Sequence, residues 1–267
     1  MNADCIEKEI HNGRIGRPVI YHEVTGSTNS DVKLLAENGS AHGTLVVSSR
    51  QESGRGRLGR KWVTRGEDAI AMSLLLRPSF DKSQASKLTL LAGLSTTQAV
   101  SELTGAGDRV KIKWPNDVVI DGKKICGILT ELCLTPGSDA YYVIIGIGIN
   151  VMTADFPEEI QSVAGSILTQ TGISVPRERL IGEVIDRFQE LYEIYEKRTS
   201  LEEHIELYHQ YLAGLNQGVR VLDPKGEYEG ICLGINKEGE LMVRRADGSI
   251  ANVYAGEVSV RGLYGYV

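Results

Sequence analysis

A basic, glycine-rich segment runs from Gly54 to Trp62 and reads GRGRLGRKW. We call residues 54–62 the Arg/Gly loop. Its three glycines let the backbone approach a ligand closely, and its three arginines and one lysine can donate to carboxylate or phosphate oxygens. The Walker pattern GxxxxGK(S/T) does not occur in it, so arginines would hold any phosphate here. The segment predicts an anion-binding loop, with a solvated basic loop or an RGG-like nucleic-acid contact as the alternatives.

Two later segments place charged side chains where strands should end or begin. Residues 113–117 read KWPND, and a Trp-Pro step ends a strand and leaves Asn116 and Asp117 at the rim of a sheet. Asp117 is a candidate ligand for Mg²⁺, which needs one or two carboxylates beside substrate phosphates, although a simple turn has the same spacing. Lys124 opens an apolar strand, which predicts that its ammonium group points into a cleft, with an exposed turn lysine, as predicted for Lys123, as the alternative. Gly127 would leave room for a ligand against that strand.

The apolar run that ends at Asn150 reads GIGIN over residues 146–150. It lacks the third glycine and the capped helix of a dinucleotide-binding fingerprint, which excludes that class of site. Two glycines in a central strand indicate close approach by a neighbour or a ligand, and Asn150 adds a polar group at the end of the strand. The five histidines have no metal-ligand spacing, and the sequence contains neither GxSxG nor a Cys/His pair typical of a covalent nucleophile.

Composition limits the class of protein and its partners. The 267 residues are 42% hydrophobic and 24% charged, which is typical of one large or two modest globular domains and excludes disordered and collagen-like chains. A balance of 29 basic against 35 acidic residues argues against a protein that coats nucleic acid, so any anion site must be local.

The sequence also predicts the compartment. No run approaches the ~18 consecutive apolar residues of a membrane span, and the start MNADCIEKEI has neither the basic nor the apolar region of a signal peptide. Four scattered cysteines without a CxxC pair favour reduced thiols. We therefore predict a cytoplasmic protein without a membrane segment.

Hydrophobic periodicity predicts the elements that position the candidate residues. Strands are predicted over residues 19–24, 44–49, 69–76, 110–114, 118–120, 125–134 and 141–149, and helices over 27–39, 83–103 and 176–195. Thr28 followed by Asp31 predicts a capping box with Thr28 as the N-cap, and Asp121-Gly122 predicts a tight hairpin. The alternation over 110–114 puts Lys113 on the polar side of a half-buried strand.

The pattern changes after residue 215. Short alternating runs over 219–221, 229–233, 241–244 and 258–261, separated by Pro/Gly and Asp-Gly turns, predict a small β-barrel of about fifty residues. We therefore predict a first domain over residues 1–215 and a second over 216–267.

Together, these segments resemble the biotin–protein ligases, enzymes that attach biotin to a lysine of biotin-dependent carboxylases. The resemblance runs from Val19 to Arg261 and is carried, in order, by GSTN at 26–29, Gln51, GRGRLGRKW at 54–62, KWPND at 113–117, KICGIL at 124–129 and GIGIN at 146–150. Some members carry a further arginine where this chain has Leu58. The resemblance implies an α+β fold, in which a mixed, largely antiparallel sheet with covering helices, related to class II aminoacyl-tRNA synthetases, precedes a small C-terminal SH3-like β-barrel.

The same resemblance implies a reaction and a set of site residues. Biotin would be activated with MgATP to biotinyl-5′-AMP and transferred to a lysine of a biotin carboxyl carrier protein, with ATP and Mg²⁺ as cofactors. The implied biotin-binding residues are Ser27, Thr28, Asn29, Gln51, Arg55, Gly56, Arg57, Lys124 and Gly127. The implied ATP-binding residues are Arg57, Arg60, Trp62, Lys124, Asn150 and Arg261. The implied catalytic residues are Lys124, Arg55, Arg57 and Asp117, with Asp117 also the metal ligand.

Related enzymes and one other class of protein are the alternatives. Bifunctional relatives also repress transcription through an N-terminal helix-turn-helix module of about sixty residues, whereas about twenty residues precede the first predicted strand here. We therefore expect a ligase without repressor function or DNA binding, with a homodimer as an open possibility. A lipoate or octanoate–protein ligase is the nearest enzymatic alternative. A nucleic-acid-binding protein that uses the Arg/Gly loop is the non-enzymatic one.

Overall fold

A seven-stranded sheet forms the larger part of the protein. The computed structural model describes residues 1–62, 68–135, 137–256, 258–263 and 265–267. The strands are β1 (Val19–Thr25), β2 (Leu45–Gln51), β3 (Ala69–Leu76), β4 (Val110–Lys113), β5 (Asp117–Ile120), β6 (Lys123–Leu134) and β7 (Tyr141–Asn150). They lie in the order β1-β2-β3-β7-β6-β5-β4, and only the β1–β2 pair among them is parallel. This arrangement confirms the predicted mixed, largely antiparallel sheet.

Helices cover both faces of this sheet. They are α1 (Ala3–Glu9), α2 (Thr28–Glu37), α3 (Leu88–Thr104), α4 (Glu158–Gln161), α5 (Ile167–Thr171), α6 (Arg177–Arg198) and α7 (Ile205–Tyr211). Helix α2 packs on β2, β3 and β7, whereas α3 packs on β4 to β7 and is itself covered by α6. Because β3 and β7 are covered on both faces, their sequences are almost continuously apolar, as predicted for central strands. No helix in the described ranges combines the length and apolarity needed to cross a lipid bilayer.

The structure corrects several local predictions. The N-cap of α2 is Ser27, not Thr28, and its side chain makes no capping hydrogen bond. Instead of closing a capping box, the Asp31 carboxylate accepts a hydrogen bond of 2.6 Å from the Thr25 hydroxyl. The helix predicted from residue 83 begins at Leu88, after a 3₁₀ turn. Helices α1 and α7 were not predicted because each is short and buries a single side chain.

A second, smaller sheet follows. Its strands are β8 (Gly218–Leu222), β9 (Tyr228–Ile235), β10 (Leu241–Arg244), β11 (Ile250–Val253) and β12 (Ser259–Gly262), all antiparallel in the order β11-β10-β9-β8-β12. This is the all-β C-terminal segment that the sequence predicts, with β11 added. The Trp114 indole N–H donates to the Gly239 carbonyl at 3.1 Å, and Lys87 pairs with Glu238 at 2.7 Å. These contacts fix the small sheet against the β4 end of the large one.

Candidate active site

One cavity collects all the residues that the sequence singles out for binding or catalysis. It has a volume of about 290 Å³, at the lower end of the range for small-molecule sites, and lies between the large sheet, the Arg/Gly loop and the C-terminal sheet. The predicted residues that line it are Ser27, Thr28, Asn29, Gln51, Arg55, Gly56, Arg57, Arg60, Trp62, Asp117, Lys124, Gly127, Asn150 and Arg261. Segments that are more than two hundred residues apart in sequence therefore form one site.

A chain of buried hydrogen bonds forms the β2–β3 side of the cavity. The backbone N–H and the hydroxyl of Thr28 donate to Gln51 Oε1 at 2.8 and 3.1 Å. Ser73 Oγ, on β3 and fully buried, lies 2.6 Å from both Thr28 Oγ1 and Asn29 Oδ1. Asn29 Nδ2 donates to Glu131 at 2.6 Å. The members of this chain that line the cavity, Thr28, Asn29 and Gln51, are uncharged and fixed in position, and they form a rigid polar edge suited to an amide-like ring.

The protein holds both ends of the Asn29 side-chain amide, a group that the resemblance assigns to biotin binding. A Cβ at Gly146 would lie 2.2 Å from Asn29 Oδ1, so this glycine is what lets the amide rest against β7. Because the oxygen faces Ser73 and the nitrogen faces Glu131, both ends of the Asn29 amide have partners in the protein. Its direct contact with biotin stays a prediction.

Trp62 lies across two strands on a platform of glycines. Gly127 on β6 and Gly148 on β7 are directly paired. A Cβ at Gly148 would lie 2.3 Å from the indole of Trp62, and one at Gly127 would lie 3.1 Å from both Trp62 and Lys124. The space that the sequence assigns to a ligand at Gly127 is thus occupied here by these two side chains. The indole forms an apolar wall of the cavity.

The cavity carries a local surplus of positive charge, contributed by the Arg/Gly loop and by β4, β6 and β12. Among the described residues, seven cationic side chains line it, against two carboxylates. The cations are Arg55, Arg57, Arg60, Lys61, Lys113, Lys124 and Arg261, and the carboxylates are Asp117 and Asp155. Because the whole chain has a net charge of −6, this surplus is local, as predicted for an anion site.

Lys124 is positioned by the hairpin that the sequence predicts. Asp121 and Gly122 have φ values of +50° and +76°, the left-handed pair that a tight two-residue turn requires. The turn starts β6 so that Lys124 Nζ lies 2.6 Å from Asp117 Oδ1 on β5 and 5.9 Å from the centre of the Trp62 ring. The Lys124 side chain is 27% exposed and its partner carboxylate 10% exposed. The ammonium group therefore lies at the cavity wall and is accessible to a ligand.

Arg57 links the Arg/Gly loop to two other parts of the site. Its guanidinium donates to Asn116 Oδ1 at 2.8 Å and to the carbonyls of Ala255 and Gly256 at 2.7 Å each. Burial lowers the pKa of Arg57, and the charge of nearby Asp117 opposes this effect. All three hydrogen-bond acceptors are uncharged, so the guanidinium retains its positive field for an anion in the cavity. Arg55, by contrast, pairs with Glu131 at 3.3 Å.

Lys113 is buried, against the prediction that it faces solvent. Its side chain is 8% exposed because the C-terminal segment covers that face of β4, and its Nζ lies 4.2 Å from the centre of the Tyr266 ring. Burial lowers the pKa of Lys113 to about 8, and Asp117 opposes this while Lys124 adds to it. At neutral pH, the buried Lys113 ammonium group is therefore a charged group in an environment that disfavours charge.

Replacing Lys113 with methionine should raise the free energy of unfolding at pH 7 by up to about 3 kcal/mol, the equivalent of moving a pKa from 10.5 to about 8. The folded protein binds this proton less tightly than the unfolded chain, so the cost is complete below pH 8 and disappears as pH rises toward 10.5. Urea unfolding from pH 7 to 10.5 measures it. Lys111→Met on the same strand, where the side chain is 29% exposed, is the control. A Lys113→Met protein less stable than the parent at pH 7 would contradict this assignment.

Asp117, the candidate metal ligand, is not part of a metal-binding cluster within the described ranges. No cluster of three or more His, Cys, Asp or Glu side chains occurs among the residues that the structure describes. Asp117 Oδ1 faces Lys124, and Oδ2 accepts a hydrogen bond from the Tyr266 hydroxyl. Oδ2 is therefore hydrogen-bonded, whereas Oδ1 has an ionic contact with Lys124 but no hydrogen-bond partner among the described residues. A magnesium ion that arrives with ATP would take most of its ligands from phosphates and water, and the predicted Asp117–Mg²⁺ contact stays a prediction.

Four residues of the site were missed by sequence analysis. Ser73 and Glu131 each place a polar group in an apolar strand, and this pattern could have indicated a role in the site. No sequence pattern indicated Lys113 or Tyr266, because their positions depend on how the C-terminal segment folds back onto β4 and β5.

The fold and the site together define a class of protein. The same cavity has an uncharged polar edge on the β2–β3 side and a cationic surface formed by the Arg/Gly loop, β4, β6 and β12. These two surfaces suit a protein that brings an uncharged polar ring together with phosphate or carboxylate groups. The large sheet contributes different strands to the two surfaces, and the Arg/Gly loop contributes four of the seven cations.

Comparisons with known proteins agree with this class and narrow it. A family model described as "Biotin/lipoate A/B protein ligase family" matches residues 21–150, and one described as "Biotin protein ligase C terminal domain" matches residues 214–261. The bifunctional ligase/repressor BirA of Bacillus subtilis is 36% identical over 248 residues, which cover 92% of this chain and 75% of that protein. The biotin–[acetyl-CoA-carboxylase] ligase of Mycobacterium tuberculosis is 31% identical over 239 residues, covering 88% and 85%.

A solved structure of the biotin protein ligase from Aquifex aeolicus, in complex with biotin and ATP, superposes with a TM-score of 0.80 at 31% identity and covers 92% of this chain and 99% of that one. The chain belongs to the biotin protein ligase family. It is an ATP-dependent biotin–protein ligase, and these relatives favour biotin over the lipoate alternative.

Proposed function

We propose that this ligase works in two steps at the cavity described above. The carboxylate of biotin attacks the α-phosphate of MgATP, which forms biotinyl-5′-AMP and releases pyrophosphate. The amine of an acceptor lysine then attacks the acyl carbon and releases AMP. The observation that carries the proposal is the division of one cavity into an uncharged polar edge and a cationic surface.

The first step is limited by electrostatic repulsion. A carboxylate must approach a polyphosphate, and like charges ~4 Å apart repel by ~4 kcal/mol at an effective dielectric constant near 20. The cations at the cavity wall reduce this repulsion, and Lys124 lies beside the Trp62 wall where the two ligands would meet. We assign to Lys124 a charge-assisted hydrogen bond to the carboxylate or the α-phosphate, which strengthens as charge moves in the transition state.

The polar edge suits the ureido ring of biotin. Such a ring presents both donors and acceptors, and a buried donor or acceptor without a partner costs ~1 to 3 kcal/mol. Thr28 and Gln51 hold each other in place through two hydrogen bonds, and Ser27 lies beside them at the start of α2. Their positions are set before a ligand arrives, which reduces the entropy lost on binding.

The cationic surface suits the nucleotide. Arg57, Arg60 and Arg261 reach the cavity from the Arg/Gly loop and from β12, so ATP would be bound between the two sheets. The Asn150 amide nitrogen donates to the Gly165 carbonyl at 3.0 Å, which orients the side chain and leaves its second N–H and its oxygen for the nucleotide. Trp62 would pack beside the adenine.

We extend the proposal to the acceptor protein and to the cellular compartment of the ligase. A relative is named as a biotin–[acetyl-CoA-carboxylase] ligase, which supports a biotin carboxyl carrier protein as the acceptor for this chain. All four cysteines are free thiols, which supports the cytoplasm, where thiols stay reduced and ATP is available. Strands β1 and β4 are the edges of the large sheet, and an edge strand that pairs with a second copy would give the homodimer that the sequence leaves open. We expect no DNA binding.

Calorimetric titration with biotin, lipoate and ATP, combined with an assay of biotin-dependent pyrophosphate release, tests the proposal. We expect biotin to bind and to be required for pyrophosphate release, and lipoate to replace it poorly. Protein that forms no biotinyl-5′-AMP from biotin and MgATP would overturn the proposal. A DNA gel shift tests the alternative function of the Arg/Gly loop and should show no complex.

A further inference from the structure

The chain end reaches into the candidate active site through Tyr266. Its hydroxyl donates to Asp117 Oδ2 at 2.5 Å, and the other oxygen of the same carboxylate lies 2.6 Å from Lys124 Nζ. Asp117 therefore links the C-terminal segment to Lys124, the residue that we propose stabilises the charge of the transition state. Tyr266 itself lines the cavity.

Independent contacts hold this segment in place. A Cβ at Gly262 would lie 2.4 Å from the backbone of Val267, and one at Gly218 would lie 2.5 Å from the side chain of Leu263. The chain end is therefore folded back against β8 and β12. The ring of Tyr266 also covers the buried ammonium group of Lys113 at 4.2 Å. Ring and hydroxyl are thus fixed by different neighbours.

The hydroxyl has a specific consequence for the geometry of Lys124. Asp117 has two ammonium groups in its surroundings, those of Lys113 and Lys124. With Oδ2 bonded to Tyr266, the carboxylate presents Oδ1 to Lys124. Without that bond it is free to rotate and to share its charge with Lys113. A reacting group that is displaced by about 1 Å loses up to about 100-fold in rate.

We propose that Tyr266 is a positioning residue for adenylate formation, acting on Lys124 through Asp117, and that the C-terminal sheet thereby takes part in the first step. This role rests on the two-step function proposed above. It makes the chain end part of the active site rather than an appendage of the small sheet.

Tyr266→Phe tests the role because it removes the hydroxyl and keeps the ring over Lys113. We expect the single-turnover rate of biotinyl-5′-AMP formation to fall at least about tenfold, with the dissociation constant of biotin changed by less than about twofold. Tyr254→Phe, an exposed tyrosine in the same part of the chain, is the matched control and should keep the parent rate.

Double-variant kinetics separate positioning from a structural effect. If Tyr266 acts through Asp117, Tyr266→Phe should have no further effect on the rate in an Asp117→Ala background. Multiplicative losses in the double variant, or a parent-like rate in Tyr266→Phe, would overturn the role of Tyr266 and leave the proposed function intact. A parent protein that makes no biotinyl-5′-AMP would overturn both.

Discussion

Replacing Lys124 with alanine should lower the rate of biotinyl-5′-AMP formation by about 10²- to 10³-fold and change biotin affinity by less than about threefold. The ammonium group lies at the cavity wall, 2.6 Å from Asp117, and the negative charge that we assign to it as partner grows as the carboxylate and the α-phosphate react. Its interaction is therefore stronger in the transition state than with either substrate, and such an interaction affects rate more than binding.

Lys123 offers a matched control for this experiment. It is the preceding residue on β6, and its ammonium group donates to the Ser162 carbonyl at 2.5 Å, away from Asp117. Lys123→Ala should keep the rate of adenylate formation within about threefold of the parent. Rapid-quench measurement of biotinyl-5′-AMP and calorimetry with biotin give the two quantities. Equal losses of rate and affinity in Lys124→Ala would contradict a role confined to the transition state.

An Arg57→Gly protein should release its adenylate and label bystander lysines at least about tenfold more than the parent. Hydrogen bonds from a charged group contribute about 1.5 to 3 kcal/mol each, and Arg57 makes three of them, to Asn116 and to the carbonyls of Ala255 and Gly256. Without them the Arg/Gly loop loses its attachment to both the KWPND segment and the C-terminal sheet. The reactive mixed anhydride is then less well sequestered from solvent.

Leu58→Gly distinguishes the lost contacts from a general gain in flexibility. Leu58 is the next residue, is 58% exposed and has a φ of +57°, a left-handed conformation that glycine adopts without strain. This variant adds backbone freedom to the same loop but keeps Arg57, so its labelling of an unrelated protein should match that of the parent. Mass spectrometry of biotinylated lysines on added albumin measures the effect. Equal labelling by parent and Arg57→Gly would refute the proposed role.

The local geometry of the site could be predicted where it depends on neighbouring residues. The Asp121-Gly122 turn requires positive φ values at two successive positions, which limits the sequence to few residue types and fixes where Lys124 begins β6. The GIGIN segment indicated close approach to β7, and the structure shows Asn29 at Gly146 and Trp62 at Gly148. The glycines predict that a side chain or ligand lies close to the backbone of β7, but they do not predict which one.

The sequence by itself determined the elements of the large sheet, the cationic character of the Arg/Gly loop and, through a set of ordered motifs, the family. These properties depend on short-range spacing, so one strand, turn or loop at a time is enough to specify them. The tertiary structure alone decided that Lys113 is buried, that Ser73 and Glu131 support Asn29, and that Tyr266 reaches Asp117. Such contacts join residues far apart in the chain. Their partners are set by the order in which the strands pair and by the packing of the C-terminal segment on the large sheet, neither of which a local sequence pattern specifies.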